Sequence, residues 1–228
     1  MIKISNLKKS YGNKEVLKNI NLEIKEGDFV GLVGKNGSGK STIINILSMV
    51  KTQDSGKISY SFDEKEIYKN MGIQFQEADF DKRMKVKELA GLWKEIYKVK
   101  DDYYNELIRL LELDQVMNQK IGNISGGQRQ KLNIFLALIH NPKVLILDEL
   151  TTGLDAISRA EIRKYLSILN KEKGKTILMV SHYMDEVENL CNKVCFLKDG
   201  VISEEGSPNE LIKKHNCKNL EQLVVNYL

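Results

Sequence analysis

Continuous apolar runs alternate along the chain with segments whose apolar residues recur every three or four positions. The runs at Phe29–Val33, residues 144–147 and Thr176–Val180 have the length of strands. Unbroken apolar strands are typical of a parallel sheet covered on both faces, whereas a spacing of three or four indicates helices. From residue 142 onward the two patterns take turns. The pattern therefore predicts an α/β fold with a mostly parallel core sheet.

Two regions depart from that alternation. Residues 2–4 and 20–24 alternate between apolar and polar side chains, which predicts an antiparallel N-terminal edge sheet. Between residues 77 and 124 the apolar positions have helical spacing, which predicts an inserted helical subdomain. We expect a single domain, residues 1–228, that includes this insertion. The helical prediction depends on Val86, Leu89, Ala90, Trp93, Leu107, Leu110, Leu111 and Leu113.

A glycine-rich loop follows the first apolar run. Residues 34–41 match the pattern G-x-x-x-x-G-K-[ST] and lie between a predicted strand and a predicted helix, which favours a phosphate-binding loop over a glycine-rich turn. Its backbone amides would surround an anion at the helix N-terminus. Lys40 would reach the β- and γ-phosphates, and the Ser41 hydroxyl would bind Mg²⁺. The expected phosphate-binding residues are Gly34, Lys35, Asn36, Gly37, Ser38, Gly39, Lys40, Ser41 and Thr42.

Two acids end the second apolar run. Asp148 and Glu149 follow residues 144–147, at the carboxyl end of a strand, where open α/β sheets bind their ligands. Asp148 suits Mg²⁺, and Glu149 could polarise an attacking water. Adjacent acids also occur in solvated turns and helix caps, but a phosphate loop in the same chain favours the metal interpretation. The two segments together predict a nucleotide-hydrolysing site.

A third segment, Ser125, Gly126, Gly127 and Gln128, precedes an apolar helical stripe. Ser at the first position and Gln at the fourth form the pattern of a capping box, so a structural helix cap is one interpretation. Two glycines directly inside a helix start weaken that helix. They are explained if a phosphate approaches the backbone closely there.

With these segments together, the chain resembles the ATP-binding subunit of an ABC transporter over essentially its whole length. Residues 125–128 resemble the signature sequence of that family, although Ile124 stands where most members have Leu. Leu150 also departs from the family, in which Pro usually follows the acid pair. The resemblance implies a P-loop NTPase fold of the α/β class. It also implies an Mg-dependent ATPase with ATP and Mg²⁺ as cofactors.

The resemblance further implies roles for residues that no pattern singles out. Gln76 resembles the glutamine that contacts Mg²⁺ and the attacking water, and His182 resembles the histidine that touches the γ-phosphate. Asp155 resembles the aspartate that crosses the dimer interface, and Tyr11 resembles the aromatic residue that stacks on adenine. A surface glutamine, a polar strand end and a packed tyrosine are the structural alternatives. The catalytic set would be Glu149, His182 and Gln76, and the metal set Ser41, Gln76 and Asp148.

In this family two subunits sandwich two ATP molecules, each between one chain's phosphate loop and the other's signature sequence. A homodimer and a heterodimer with a related chain are equally compatible with the sequence. Resemblance to the ABC-2 exporter type is carried by residues 147–155 and 181–186. It implies export through a permease on a separate chain. The main alternative is a soluble ABC-type ATPase that acts on DNA or ribosomes. A nucleotide kinase would not need the segment at Ser125.

Composition changes this picture little. The net charge is +4 from 35 basic and 31 acidic residues, so no nucleic-acid patch is indicated. Three cysteines without zinc spacing suggest reduced thiols in the cytosol. No apolar run approaches the roughly 18–20 residues that span a bilayer, so we expect the chain at the cytoplasmic membrane face, held by the permease. His140 and His215 follow no motif, and we expect both on the surface.

Overall fold

The computed structural model describes residues 1–74 and 80–227 of the chain. Six of its strands form one sheet in the order β5-β6-β7-β3-β8-β9, in which every pairing is parallel except β8 with β9. The prediction of an α/β fold with a mostly parallel core sheet is therefore confirmed. The strands of this sheet are β3 (Phe29–Val33), β5 (Met71–Gln74), β6 (Val144–Asp148), β7 (Thr176–Val180), β8 (Lys193–Lys198) and β9 (Val201–Gly206).

A second sheet covers one face of the first. It is antiparallel, in the order β2-β1-β4, with β1 at Ile2–Tyr11, β2 at Lys14–Ile24 and β4 at Ser55–Tyr60. Burial alternates over residues 2–4 of β1 and 20–24 of β2, as the pattern predicted, and it is irregular elsewhere in both strands. The antiparallel N-terminal sheet is therefore confirmed.

The central strands are apolar throughout because both of their faces are covered. In β3, Phe29 and Val33 belong to one buried cluster, whereas Val30 and Leu32 belong to the other. The first cluster lies under most of the helices, and the second lies between the two sheets. Successive side chains of a strand point to opposite faces, so a continuous apolar run fills two cores at once.

Helices occupy the predicted positions. Two of them, α3 (Val86–Ile96) and α4 (Asp101–Leu110), lie between β5 and the helix that follows Ser125. Their buried residues, such as Leu89 and Leu107, join the first core cluster. The division of residues 77–124 into a subdomain stays a prediction. The other helices are α1 (Lys40–Leu47), α2 (Ile67–Asn70), α5 (Gly126–Leu138), α6 (Ala156–Lys171), α7 (Met184–Leu190), α8 (Pro208–Lys214) and α9 (Leu220–Tyr227).

The expectation that His140 and His215 are surface residues is wrong. His140 is half-buried, stacks on the Tyr97 ring at 4.8 Å between centroids, and contacts the Met71 carbonyl through Nε2 at 3.1 Å. His215 lies 2.6 Å from Oε2 of the buried Glu204. Neither contact has a sequence signal, because the partners are remote along the chain. In the described part of the chain, no helix is long and apolar enough to cross a membrane.

Candidate active site

Three neighbouring parallel strands end at one edge of the core sheet, and each is followed by a predicted site residue. Strand β3 leads to the loop that contains Lys40, β6 ends at Asp148, and β7 leads to His182. Strand β7 pairs with both β3 and β6. Because parallel strands place their carboxyl ends together, this topology collects the three segments at one place.

The loop before α1 needs glycine at two positions for different reasons. Gly39 has φ 111°, which side chains disfavour, and caps α1. A Cβ at Gly34 would lie 2.4 Å from the Leu197 carbonyl oxygen, so only glycine fits there. Lys40 begins the helix and is buried, and its ammonium donates to the carbonyls of Gly34 at 2.7 Å and Lys35 at 3.0 Å. Burial lowers the pKa of Lys40, although the nearby carboxylates oppose that shift.

Asp148 lies at the end of β6 and is 6% exposed. Burial raises the pKa of its carboxyl, the charge of Glu149 adds to the rise, and Lys40 opposes it. Its Oδ1 atom is buried and has no hydrogen-bond partner among the described residues. A buried carboxylate oxygen without a protein partner fits a hard cation such as Mg²⁺.

Glu149 adopts a backbone conformation that is uncommon for its residue type. Its φ is 52°, in the left-handed region, and its amide donates to the Val180 carbonyl of β7 at 3.0 Å. The Oε1 atom lies 2.8 Å from Nε2 of His182. The turn after β6 thus brings the predicted catalytic carboxylate and the predicted histidine into contact.

Several of these residues line one open cavity of about 680 Å³, although Asp148 is outside its described lining. Its wall includes phosphate-loop residues 36, 37 and 39–41, both members of the Glu149–His182 pair and the aromatic Tyr11, which is 44% exposed. The volume suits a nucleotide-sized ligand. The described residues that line it are Tyr11, Lys14, Val16, Asn36, Gly37, Gly39, Lys40, Ser41, Thr42, Glu149 and His182.

The segment at Ser125 does not belong to that lining among the described residues. Ser125 caps α5: its hydroxyl accepts from the Gln128 amide at 3.2 Å, and its amide donates to Oε1 of Gln128 at 2.9 Å. The predicted capping box is therefore present. A Cβ at Gly127 would lie 2.6 Å from the Ser158 hydroxyl, whereas Gly126 faces Leu154. The start of α5 therefore packs against the start of α6.

Asp155 caps that neighbouring helix. Its Oδ1 accepts from the amides of Ile157 and Ser158 at 3.0 Å each, and its Oδ2 accepts from the Ser158 hydroxyl at 2.7 Å. The amide and hydroxyl of Ser158, followed by the Ile157 amide, lower the pKa of Asp155. Gln76 lies outside the described residues.

Two buried charged residues near the site carry no sequence signal. Glu186 resembles a solvated helix position because acids stand beside it. It is nevertheless 0% exposed and bonds Thr151 and Ser181. Lys131 in α5 binds Glu112 and Glu161 at 2.9 Å each, which ties the helical region to α6. Only the apolar periodicity of residues 132–139 hinted that α5 is buried.

A phosphate loop and a carboxylate–histidine pair line one cavity, and a buried carboxylate ends the strand that leads to that pair. This arrangement defines an α/β nucleotide hydrolase of the P-loop class. Residues 17–152 match the family described as ABC transporter. The chain belongs to that family, and it is an ATP-binding and ATP-hydrolysing transporter subunit.

Three relatives illustrate the range of similar proteins. The Nod factor export ATP-binding protein I of Rhizobium sp. (strain N33) is 34% identical over 96% of this chain and 75% of its own length. The methionine import ATP-binding protein MetN of Clostridium acetobutylicum is 34% identical over 92% of this chain and 70% of its own length. A dimeric ATP-binding cassette in a post-hydrolysis state with ADP and Pi has a TM-score of 0.78. It is 31% identical and covers 91% of this chain and 98% of its own.

Proposed function

We propose that ATP binds in the phosphate-loop cavity and that Glu149 and His182 act on its terminal phosphate. The observation that carries this proposal is the 2.8 Å contact between the two side chains at the wall shared with Lys40. Lys40 neutralises phosphate charge, and the amides around Gly37 donate to phosphate oxygens. Tyr11 stacks on the adenine ring at the open end of the cavity.

Glu149 orients and polarises the attacking water, and His182 stabilises charge on the γ-phosphate. The contact of His182 with Glu149 keeps the two side chains close enough to act on the same γ-phosphate. Mg²⁺ would be held by Ser41 and Asp148, with Gln76 added on the strength of the family resemblance alone. When bound, it neutralises charge on the phosphate oxygens. The orphaned Oδ1 of Asp148 supports this metal set.

The cavity is open, and we propose that a second subunit closes it. The segment at Ser125 of one chain would cover the cavity of the other, with the exposed Gly126 against the γ-phosphate, whereas Gly127 packs on Ser158 of its own chain. Residues 125–128 are absent from the described lining of the nucleotide cavity in their own chain, which supports this arrangement. Residues 77–124 would act as a helical subdomain that carries this segment within the single ATPase domain of residues 1–228. Asp155 would lie at the interface between the two subunits.

Ser125→Arg tests the composite site because it places bulk and charge at the start of α5. ATP affinity of the monomer should stay unchanged, while hydrolysis and its rise with protein concentration should collapse. A mixed dimer sharpens the test. We expect Lys40→Ala chains and Ser125→Arg chains each to lose activity alone at limiting ATP, whereas a mixed dimer contains one site with both defects and one with neither. Partial recovery of activity on mixing is expected. Full activity of Ser125→Arg alone would refute the composite site.

ATP-binding subunits of this family work with transmembrane permeases, and an apolar groove suits such a partner. A cavity of about 380 Å³ lies between α2, α3 and α5, and its lining includes the exposed Met49, Val50, Tyr68 and Tyr97. Clustered exposed apolar residues mark interaction sites. We propose that the permease docks here, which places the chain at the cytoplasmic membrane face. Export is the proposed direction, in line with the exporter-type residues and the Nod factor relative.

Co-expression with a multi-helix membrane protein from a neighbouring reading frame tests the partner. Tyr68→Glu should abolish membrane association and leave basal ATP hydrolysis unchanged. Leu92→Glu, at an exposed apolar residue of α3 outside the described lining of this groove, should retain both. Membrane association of the lone wild-type chain that resists salt would contradict the need for a permease.

A further inference from the structure

A buried carboxylate joins the two loops that carry Glu149 and His182. Glu186, in α7, is 0% exposed. Its Oε2 atom accepts a hydrogen bond from the Thr151 hydroxyl at 2.7 Å and another from the Ser181 hydroxyl at 3.2 Å. Thr151 lies two residues after Glu149, and Ser181 immediately precedes His182. One oxygen atom therefore connects both loops.

Each loop is also closed locally, so the connection reaches the side chains that matter. The Ser181 hydroxyl accepts from the Tyr183 amide at 3.0 Å, which forms a turn around His182. On the other loop, the Thr152 amide donates to the Glu149 carbonyl at 3.2 Å. A shift of either hydroxyl would therefore move the neighbouring site residue with it.

Stability alone is a weak reason for this arrangement. Burying a carboxylate costs free energy unless hydrogen bonds satisfy it, and the bonds to Oε2 come from neutral hydroxyls. Burial raises the pKa of Glu186, although both hydroxyl bonds oppose the rise. Its Oε1 atom is buried without a hydrogen-bond partner among the described residues. An apolar side chain of similar volume would cost less, which favours a role in geometry.

We propose that Glu186 is a positioning residue that fixes the separation between Glu149 and His182 for hydrolysis. This positioning role rests on the proposed function, in which Glu149 and His182 act on the terminal phosphate. Glu186 itself is outside the described lining of the nucleotide cavity. Without the shared acceptor, the bond from the Glu149 amide to the Val180 carbonyl still joins the two loops, but the Thr151 and Ser181 hydroxyls lose their common anchor and the 2.8 Å contact loosens. A misplacement of about 1 Å can lower turnover by roughly 100-fold.

Glu186→Met removes the acceptor at similar volume, and Glu186→Gln keeps one carbonyl oxygen in its place. For Glu186→Met we expect kcat to fall about 10-fold or more with the KM for ATP unchanged, because Lys40 lies on another loop. Glu186→Gln should restore most of the activity. Glu204→Met removes another buried carboxylate, 9% exposed, which bonds Lys214 and His215 outside the described cavity lining, and it should leave kcat unchanged.

Two further variants keep the test decisive if Glu186→Met does not fold. Thr151→Val and Ser181→Ala each remove one bond to Glu186, and each should lower kcat without changing the KM. A kcat within about twofold of wild type in the folded Glu186→Met protein, or in both hydroxyl variants, overturns the positioning role.

A double-mutant cycle separates this proposal from the function on which it rests. If Glu186 acts through Glu149, then adding Glu186→Met to Glu149→Gln should lower kcat by less than about threefold more. Fully multiplicative losses would show that Glu186 acts elsewhere and would overturn the proposal. If Glu149→Gln and His182→Ala both keep the wild-type kcat, the proposed function itself fails. If both lose activity and Glu186→Met does not, only the positioning role fails.

Discussion

The phosphate-loop edge and the helix caps at Ser125 and Asp155 differ in how their polar side chains are bonded. At the first, buried polar atoms such as Asp148 Oδ1 and Ser38 Oγ have no partner among the described residues. At the second, the side chains of Ser125, Gln128 and Asp155 are all bonded within their own helix starts. Buried polar groups without partners are costly, whereas capping boxes stabilise helices.

This difference indicates what each region offers a ligand. The first region presents side chains for phosphate, metal and water. The second presents backbone, because the side chains of Ser125, Gln128 and Asp155 are occupied and the exposed Gly126 leaves the first turn of α5 accessible. The early amides of a helix have no intrahelical acceptor, and the helix dipole favours an anion there. Substitutions should therefore affect chemistry and binding at the first region and surface shape or stability at the second.

The largest effect is expected at Glu149. Glu149→Gln keeps the shape of the side chain but removes the carboxylate that polarises water, so turnover should fall by about 100-fold or more. Bound Mg-ATP should stay intact and the closed dimer should persist, which gel filtration would detect. Glu172→Gln, at the exposed end of α6, is the control. Hydrolysis by Glu149→Gln at the wild-type rate would assign this step to another group.

Lys40→Ala should mainly affect binding. The substitution removes charge-assisted hydrogen bonds worth about 1.5–3 kcal/mol, or roughly 10- to 100-fold in ATP affinity. Calorimetry of the purified chain measures this directly. Lys51→Ala, at an exposed lysine beyond α1, should bind like wild type. Equal ATP affinities for the wild type, Lys40→Ala and Lys51→Ala would show that Lys40 does not contribute to ATP binding.

Ser125→Ala tests whether this cap does more than stabilise α5. Loss of an N-cap should lower the free energy of unfolding by about 1 kcal/mol, measured by urea denaturation. Ser207 provides a matched control, since it forms the same capping box with Glu210 at the start of α8. Ser207→Ala should show the same loss of stability at unchanged turnover. Unchanged turnover in Ser125→Ala as well would restrict Ser125 to its structural role.

The smallest expected effect is on the free energy of unfolding at acid pH. The folded-state pKa of Asp155 is lowered, so its cap contributes fully above the unfolded pKa of about 3.9. That contribution is lost as the pH falls through the folded-state value. Asparagine also caps helices, so Asp155→Asn should keep the fold and flatten the dependence of unfolding free energy on pH in this range. If the unfolding free energy of Asp155→Asn depended on acid pH as that of the wild type does, Asp155 would not be the titrating cap.

The sequence predicts best where a local pattern determines the structure. The runs around Val30 and Ile146 are apolar because two covered faces require it, and the glycine pattern before Lys40 admits few other conformations. Partners that are remote in sequence leave no such pattern. No pattern marks Glu186 as buried or pairs His215 with an acid, because Thr151 and Glu204 come close to them only after folding. The left-handed backbone of Glu149 was likewise unpredictable, since glutamate does not favour it.

That backbone conformation limits how position 149 can change over generations. Single-base changes in a glutamate codon that yield another amino acid give aspartate, alanine, glycine, valine, glutamine or lysine. With φ at 52°, valine is penalised because β-branched residues avoid this region, whereas glycine accepts it freely. Aspartate tolerates the angle but is one methylene shorter than the side chain that reaches His182. The replacements that fold most easily there are thus the ones that lose this contact, and inactive but well-folded copies should be the common fate of drift at this position.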